Sequence, residues 1–345
     1  MDDRHYTPSS PEGEEAPAIE VRGLVKQYGR VTAVNGLDLT VPAGSIYGLL
    51  GPDGAGKTTT LRCLVGSITF QAGTARVHGL PLPRDVERIR PMIGYMPQRF
   101  ALYPDLTLDE NLNFFADLYQ VSRRDRAERV PALMAFTRLA GHNRKLASQL
   151  SGGMKQKLAL CTVLVHRPQV LLLDEPSTGV DPVSRREFWE ILLELKKEGV
   201  AILVTTPYMD EAEKCDRIGM MAQGRLLIEG TPAALRAGFP FEVLAVAAEP
   251  LFPARQALAR VPGVRTAVLH GDAVHIVVDA GRDAAGQDVA ARLPAALAAA
   301  GVKLTAMERI EAGLEDVFVH ELQSRGLTAP AALTRGGGTR ANAGV

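Results

Sequence analysis

The chain has 345 residues, of which 46% are hydrophobic and 23% charged, and its 39 basic and 39 acidic side chains cancel to a formal net charge of zero. This composition fits a globular chain of two folded units and excludes global disorder, a coiled-coil rod and a disulfide-stapled mini-protein. A cancelled charge creates no general field toward polyanions, so no nucleic-acid partner is expected.

Residues 1–18 are rich in Pro, Ser and Glu without hydrophobic period and read as a disordered leader. They also lack the basic start and apolar stretch of a secretory signal. Folded structure is expected from Ile19. The segment IEVRGLVKQYGRVTAVNGLDLTV alternates apolar and polar residues on both sides of Tyr28-Gly29-Arg30, as antiparallel strands at a sheet edge do. Residues 45–50 form a short apolar strand, followed by a Gly-rich loop and a helix over residues 57–65. Further buried strands are expected at 170–173 and 200–205, separated by a helix over 184–198 with apolar Phe188, Ile191, Leu192 and Leu195. That alternation implies a parallel sheet.

Residues 109–166 read as mostly helical, an insertion within the sheet domain. After Gly238 the composition shifts to Ala, Val, Arg and Pro, with strands expected at 243–247, 265–269 and 274–278 and helices at 254–258 and 289–299. This reads as a small α+β unit ending near Ser324, followed by a flexible tail. No run approaches the ~18 apolar residues of a membrane-crossing helix. The charge-free run 39–52 is broken by Pro42, Gly44 and Gly48. Cys63, Cys161 and Cys215 are odd in number and far apart, so they read as small core residues rather than disulfide or zinc ligands.

The loop after the strand at 45–50 reads Gly51-Pro52-Asp53-Gly54-Ala55-Gly56-Lys57-Thr58, with Thr59 following, and satisfies GxxxxGK[ST] between a strand and a helix. Glycines let consecutive backbone N–H groups turn inward, and the helix N-terminus adds positive potential, so a polyphosphate fits. Lys57 would neutralise the terminal phosphates and Thr58 would offer its hydroxyl to Mg²⁺. At the end of the apolar strand at 170–173, Asp174 would hold Mg²⁺ and Glu175 would orient or deprotonate the attacking water.

At Leu150-Ser151-Gly152-Gly153-Met154 the chain resembles the LSGGQ signature that, with the two motifs above, defines the ATP-binding cassette family, over about residues 19–230. The resemblance implies an α/β fold: a P-loop NTPase parallel sheet with an antiparallel edge subdomain and a helical insertion at about 99–166. This would occupy residues 19–238, with a small C-terminal α+β domain over 239–324 and a tail over 325–345. It also implies ATP and Mg²⁺ as cofactors, Tyr28 as the aromatic that stacks adenine, and Gln98 beside the metal with Thr58 and Asp174. Two cassettes of this family meet head to tail. Ser151, Gly152, Gly153 and Asp181 would therefore complete the nucleotide site of a partner cassette.

Two positions depart from the family pattern. Pro207 stands where the family places a histidine that donates to the γ-phosphate, and proline has neither a side-chain donor nor a backbone N–H. Losing one preorganised donor is worth about 3 kcal/mol, or ~10²- to 10³-fold in rate. Met154 replaces the signature glutamine, a milder change. A weakened own site, and a heterodimer with a second ATPase subunit in preference to a homodimer, are therefore expected.

The segment Ile310-Glu-Ala-Gly-Leu-Glu-Asp-Val-Phe318 resembles the ending of ATPase subunits of ABC-2 type exporters, and the phrases GPDGAGKTT, SGGMKQKL and YMDEAE resemble those of the drug-export branch. This implies separate transmembrane permease subunits, contacted through the Gln98 loop and aromatic Phe100, Tyr103, Phe114 and Phe115. Membrane association would be through the permease only, peripheral on the cytoplasmic face. The alternative is a soluble ABC ATPase acting on ribosomes or another non-transport target.

Overall fold

A computed structural model of the protein describes residues 16–99, 102–279 and 288–327. The start of the expected leader, Phe100 and most of the expected tail lie outside the described residues. The chain divides into two compact units: the residues up to Tyr47 with Gly56–Thr206, and Gly48–Ala55 with the chain from Pro207 onward. The position 238 singled out from sequence lies inside the second of these.

The first unit opens with β1 (Ile19–Tyr28) and β2 (Val31–Val41), antiparallel around the Gly29-Arg30 turn, with Ile19 opposite Val41 and Tyr28 opposite Val31. Next come β3 (Ile46–Leu50), buried throughout, of which only Ile46 and Tyr47 belong to this unit, and α1 (Lys57–Leu64). Two strands that the sequence had not suggested, β4 (Ala72–Val77) and β5 (Leu80–Leu82), complete an antiparallel sheet of order β2-β1-β4-β5. The short helix α2 (Val86–Ile89) leads to β6 (Ile93–Met96).

Strand β6 also went unread, because a four-residue run holding a glycine looks like a turn. Gly94 instead permits close packing: a Cβ there would lie 2.7 Å from Leu171 and 2.9 Å from the Val163 carbonyl oxygen. The insertion consists of α3 (Leu108–Leu118), α4 (Arg123–Phe136) and α5 (Gly152–Leu164). It has its own core, including Leu108, Leu112, Met134, Leu158 and Cys161. Burial pushes the Cys161 thiol up to about 12, as an inert core cysteine requires.

Helix α3 starts at a capping box, in which the Thr107 N–H donates to Glu110 Oε2 (2.8 Å) and the Glu110 N–H to Thr107 Oγ1 (3.2 Å). Strands β7 (Val170–Asp174) and β8 (Ala201–Thr206) flank α6 (Pro182–Lys197) in sequence. They run parallel with β6 in the order β8-β7-β6. Phe188, Ile191, Leu192 and Leu195 form the buried face of α6, as their spacing predicts.

In the second unit, α7 (Met209–Ala212) precedes the hairpin of β9 (Arg217–Ala222) and β10 (Arg225–Gly230). Its two-residue turn, Gln223-Gly224, has φ of 48° and 78°, the left-handed pair that matches strand twist. Helix α8 (Pro232–Ala237) follows. Then come β11 (Phe241–Glu249), α9 (Leu251–Leu258), β12 (Val264–His270), β13 (Ala273–Asp279), α10 (Val289–Ala299) and β14 (Lys303–Ile310).

This is a βαββαβ unit with antiparallel order β12-β13-β11-β14, of ferredoxin-like topology, around a core including Leu244, Val246, Leu258, Ile276, Leu293 and Leu297. Strand β14 went unread because it is polar and half-exposed, and α11 (Leu314–Ser324) closes the described chain. Leu293 is fully buried in this core. Leu293→Ala is expected to cost about 2–5 kcal/mol in urea unfolding followed by circular dichroism.

Candidate nucleotide site

The loop at 51–55 is shaped by backbone demands that glycine alone meets at its first position. Gly51 has φ 152°, and a Cβ there would lie 2.1 Å from the Met221 carbonyl oxygen. The turn closes through the Ala55 N–H donating to the Pro52 carbonyl (3.1 Å), and the Gly224 N–H donates to the Ala55 carbonyl (2.9 Å). Asp53 and Gly54 are exposed at the tip. The chain then enters α1 at Gly56, which caps the helix in the left-handed region with φ 108° and offers its first-turn amides no side-chain acceptor. A helix N-terminus left in that condition suits an anion.

In the first unit the structure gathers five residues singled out from sequence. Lys57 Nζ lies 3.2 Å from Glu175 Oε1, with side chains only 4% and 8% exposed. Gln98 Nε2 donates to the other carboxylate oxygen, Oε2, at 2.9 Å. Thr58 Oγ1 donates to Asp174 Oδ1 at 3.1 Å. The second oxygen, Asp174 Oδ2, is buried with no hydrogen-bond partner among the described residues. An orphaned carboxylate oxygen beside a threonine hydroxyl is the hard oxygen donor set that Mg²⁺ takes. Burial, and then the charge of Asp174, push the Tyr95 hydroxyl above its ordinary range.

One member of this cluster was missed. Thr205 Oγ1 donates to Asp174 Oδ1 (2.8 Å) and accepts from the Glu175 N–H (2.9 Å), so one hydroxyl fixes both acidic residues. Its carbonyl takes the same amide at 3.1 Å. Glu175 thereby keeps a left-handed backbone, φ 49°. The available signal was a fully buried threonine pair, Thr205-Thr206, ending an otherwise apolar strand.

Asn111 was missed too. It is fully buried, takes the Tyr103 N–H on Oδ1 (2.9 Å), and donates from Nδ2 to the carbonyls of Tyr103, Leu106 and Thr107 at 2.9 to 3.1 Å. It knits the loop leading into α3. Of the aromatics there, Tyr103 and Phe114 are exposed and meet edge to face at 4.6 Å.

The signature residues stand at the start of α5. Ser151 caps it, its Oγ accepting the Met154 N–H at 3.3 Å. Gly152 is exposed, whereas a Cβ at Gly153 would lie 2.3 Å from the Ser184 side chain on α6. Asp181 caps α6 by accepting the amides of Val183 (3.1 Å) and Ser184 (2.9 Å). The Ser184 amide is the main cause that holds its carboxyl below the usual range. Lys157 on α5 pairs with Glu187 on α6, which Arg138 also approaches at 3.6 Å. Met154 packs against the helical core. Tyr28 stands exposed at the end of β1, and Pro207 directly follows the last residue of β8.

A family model described as "ABC transporter" matches residues 34–178. Over 219 residues, 63% of this chain, it is 45% identical to the Nod factor export ATP-binding protein I of Paraburkholderia xenovorans, covering 72% of that protein. The chain belongs to the ABC transporter family.

This cassette is also 48% identical over 219 residues to the probable multidrug ABC transporter ATP-binding protein YbhF of Escherichia coli, but spans only 38% of that protein's length. Among solved structures, an ATP-binding subunit of an ABC transporter superposes with TM-score 0.59 at 30% identity, covering 64% of this chain and 93% of that one. The α/β P-loop fold expected from sequence is thus the fold of its neighbours. Among the described residues of the cassette, no helix is long and apolar enough to cross a membrane. Thr205→Val removes the shared hydroxyl while keeping its shape. It is expected to cost about 1–3 kcal/mol in urea unfolding, with Thr205→Ser close to wild type.

Proposed function

We propose that the chain is the ATP-binding and ATP-hydrolysing subunit of an ABC-2 type exporter of drugs or other small molecules, driving separate permease subunits from the cytoplasmic face. The observation that carries this is the buried Lys57–Glu175–Gln98 cluster beside the orphaned Asp174 oxygen, in a chain whose relatives include one named as a Nod factor export ATP-binding protein and one named as a probable multidrug ABC transporter ATP-binding protein. Those names favour export over the ribosomal alternative.

The residues divide the work. Amides of the loop at 51–56 and the Lys57 ammonium bind the phosphates, and Tyr28 receives the adenine. Thr58, Asp174 and Gln98 would hold Mg²⁺, which when bound neutralises charge on the transferred phosphoryl group. A phosphate that takes the Lys57 ammonium competes for it with Glu175. Glu175 Oε1 is then free to accept a proton from water, while the Gln98 amide keeps Oε2 in place. The first assay is equilibrium ATP binding with Mg²⁺. Lys57→Ala should abolish it, and Glu175→Gln should keep it while turnover falls.

Ser151, Gly152, Gly153 and Asp181 serve the site of a second ATPase subunit, and a heterodimer is favoured because Pro207 supplies no donor to this chain's own γ-phosphate. Pro207→His is expected to raise the ATPase rate of the purified chain about 10²- to 10³-fold. Fast wild-type turnover unaltered by the histidine would sink the weakened-site reading. Detergent extraction of the tagged chain should recover a polytopic membrane protein with it. Recovery with ribosomes and no membrane protein would overturn the exporter reading.

A further inference from the structure

Lys26 is a cation that the chemistry above leaves without a task. It lies on β1 and is only 8% exposed. A buried ammonium is costly unless something compensates its charge. Among the described residues its Nζ has no carboxylate within ion-pair reach. Its partner is the Tyr28 ring, with Nζ 4.9 Å from the centroid. That ring is 46% exposed, so its remaining surface is open.

The local backbone is built to hold this pairing. The β1–β2 register shifts between Lys26 and Gln27, a bulge that re-aims the side chains on either side of it. Gln71 then pins the bulged strand: its Oε1 takes the Gln27 N–H (3.0 Å) and its Nε2 donates to the Gln27 carbonyl (3.3 Å). Burial pushes the thiol of Cys63, on α1, up to about 11, and the Lys26 charge acts in the opposite direction. The contact that holds Lys26 is the open aromatic ring of Tyr28.

We propose that Lys26 is a positioning and specificity residue for the nucleobase: its ammonium fixes the plane of Tyr28 and draws on the ring's π-density, so that the exposed ring surface favours an electron-rich purine. The inference rests on the reading in which Tyr28 receives the base. A cation against one part of the ring is stabilised by the ring quadrupole, and a base stacked on the remainder completes the sandwich. Lysine and tyrosine then act as a unit, and the triphosphate end of the ligand is indifferent to both.

The test compares Mg²⁺-ATP with inorganic tripolyphosphate, which lacks a base, by calorimetry on the full chain. Lys26→Met is expected to weaken ATP about five- to tenfold and leave tripolyphosphate unchanged. Lys26→Arg should restore ATP affinity, because guanidinium also stacks on aromatic faces. Tyr28→Leu, at an exposed position, should reproduce the ATP-selective loss, and adding Lys26→Met to it should cost nothing more. Equal weakening of both ligands by Lys26→Met, or an ATP affinity untouched by Tyr28→Leu, would overturn the proposal. Wild-type protein that binds tripolyphosphate but gains nothing from the base overturns it as well. Failure to bind either ligand instead removes the nucleotide reading on which it stands.

Discussion

Everything at the candidate site turns on one close pairing of opposite charges shut away from water. Glu175 and Lys57 are both nearly buried, and such a pair is stable only when its remaining hydrogen-bonding capacity is filled. Here each oxygen of Glu175 has a donor, the ammonium on one and the Gln98 amide on the other, and its backbone amide is bound twice by Thr205. The pair is consequently easy to rearrange and hard to delete. A ligand that offers Lys57 a better anion changes partners without leaving a charge stranded, whereas removal of either side chain strands its mate.

The same logic extends one residue back. Asp174 has one oxygen doubly bound, by Thr58 and Thr205, and the other bare. Two hydroxyls anchoring a single lone-pair region leave the opposite oxygen aimed and desolvated. That is costly for an isolated acid and useful for one that meets a divalent cation. Thr205 links the two carboxylates, so the last turn of β8 sets the geometry of residues that β7 delivers.

What could be read in advance follows from what local chemistry dictates. That Lys57 and Thr58 would lie beside Asp174 and Glu175 was legible because glycine spacing and an apolar strand ending in acids have few other uses together. Thr205 and Asn111 were not, since their roles depend on which strand or loop lies opposite, and no window of sequence contains that fact. Strand β6 was hidden for a related reason: Gly94 is there for the proximity of Leu171, a neighbour distant in the chain. The polar strand β14 sits at the edge of its sheet with most side chains in solvent, so its alternation carries little hydrophobic contrast.

Gly153 carries a lesson about how such a motif survives. A side chain there would collide with Ser184, so the glycine is demanded by the seating of α5 on α6 before any second chain arrives. A cassette that had lost every partner contact would still need it to fold. The motif's second glycine is thus a record of intramolecular fit, and an intact spelling at that letter is no witness to a working interface.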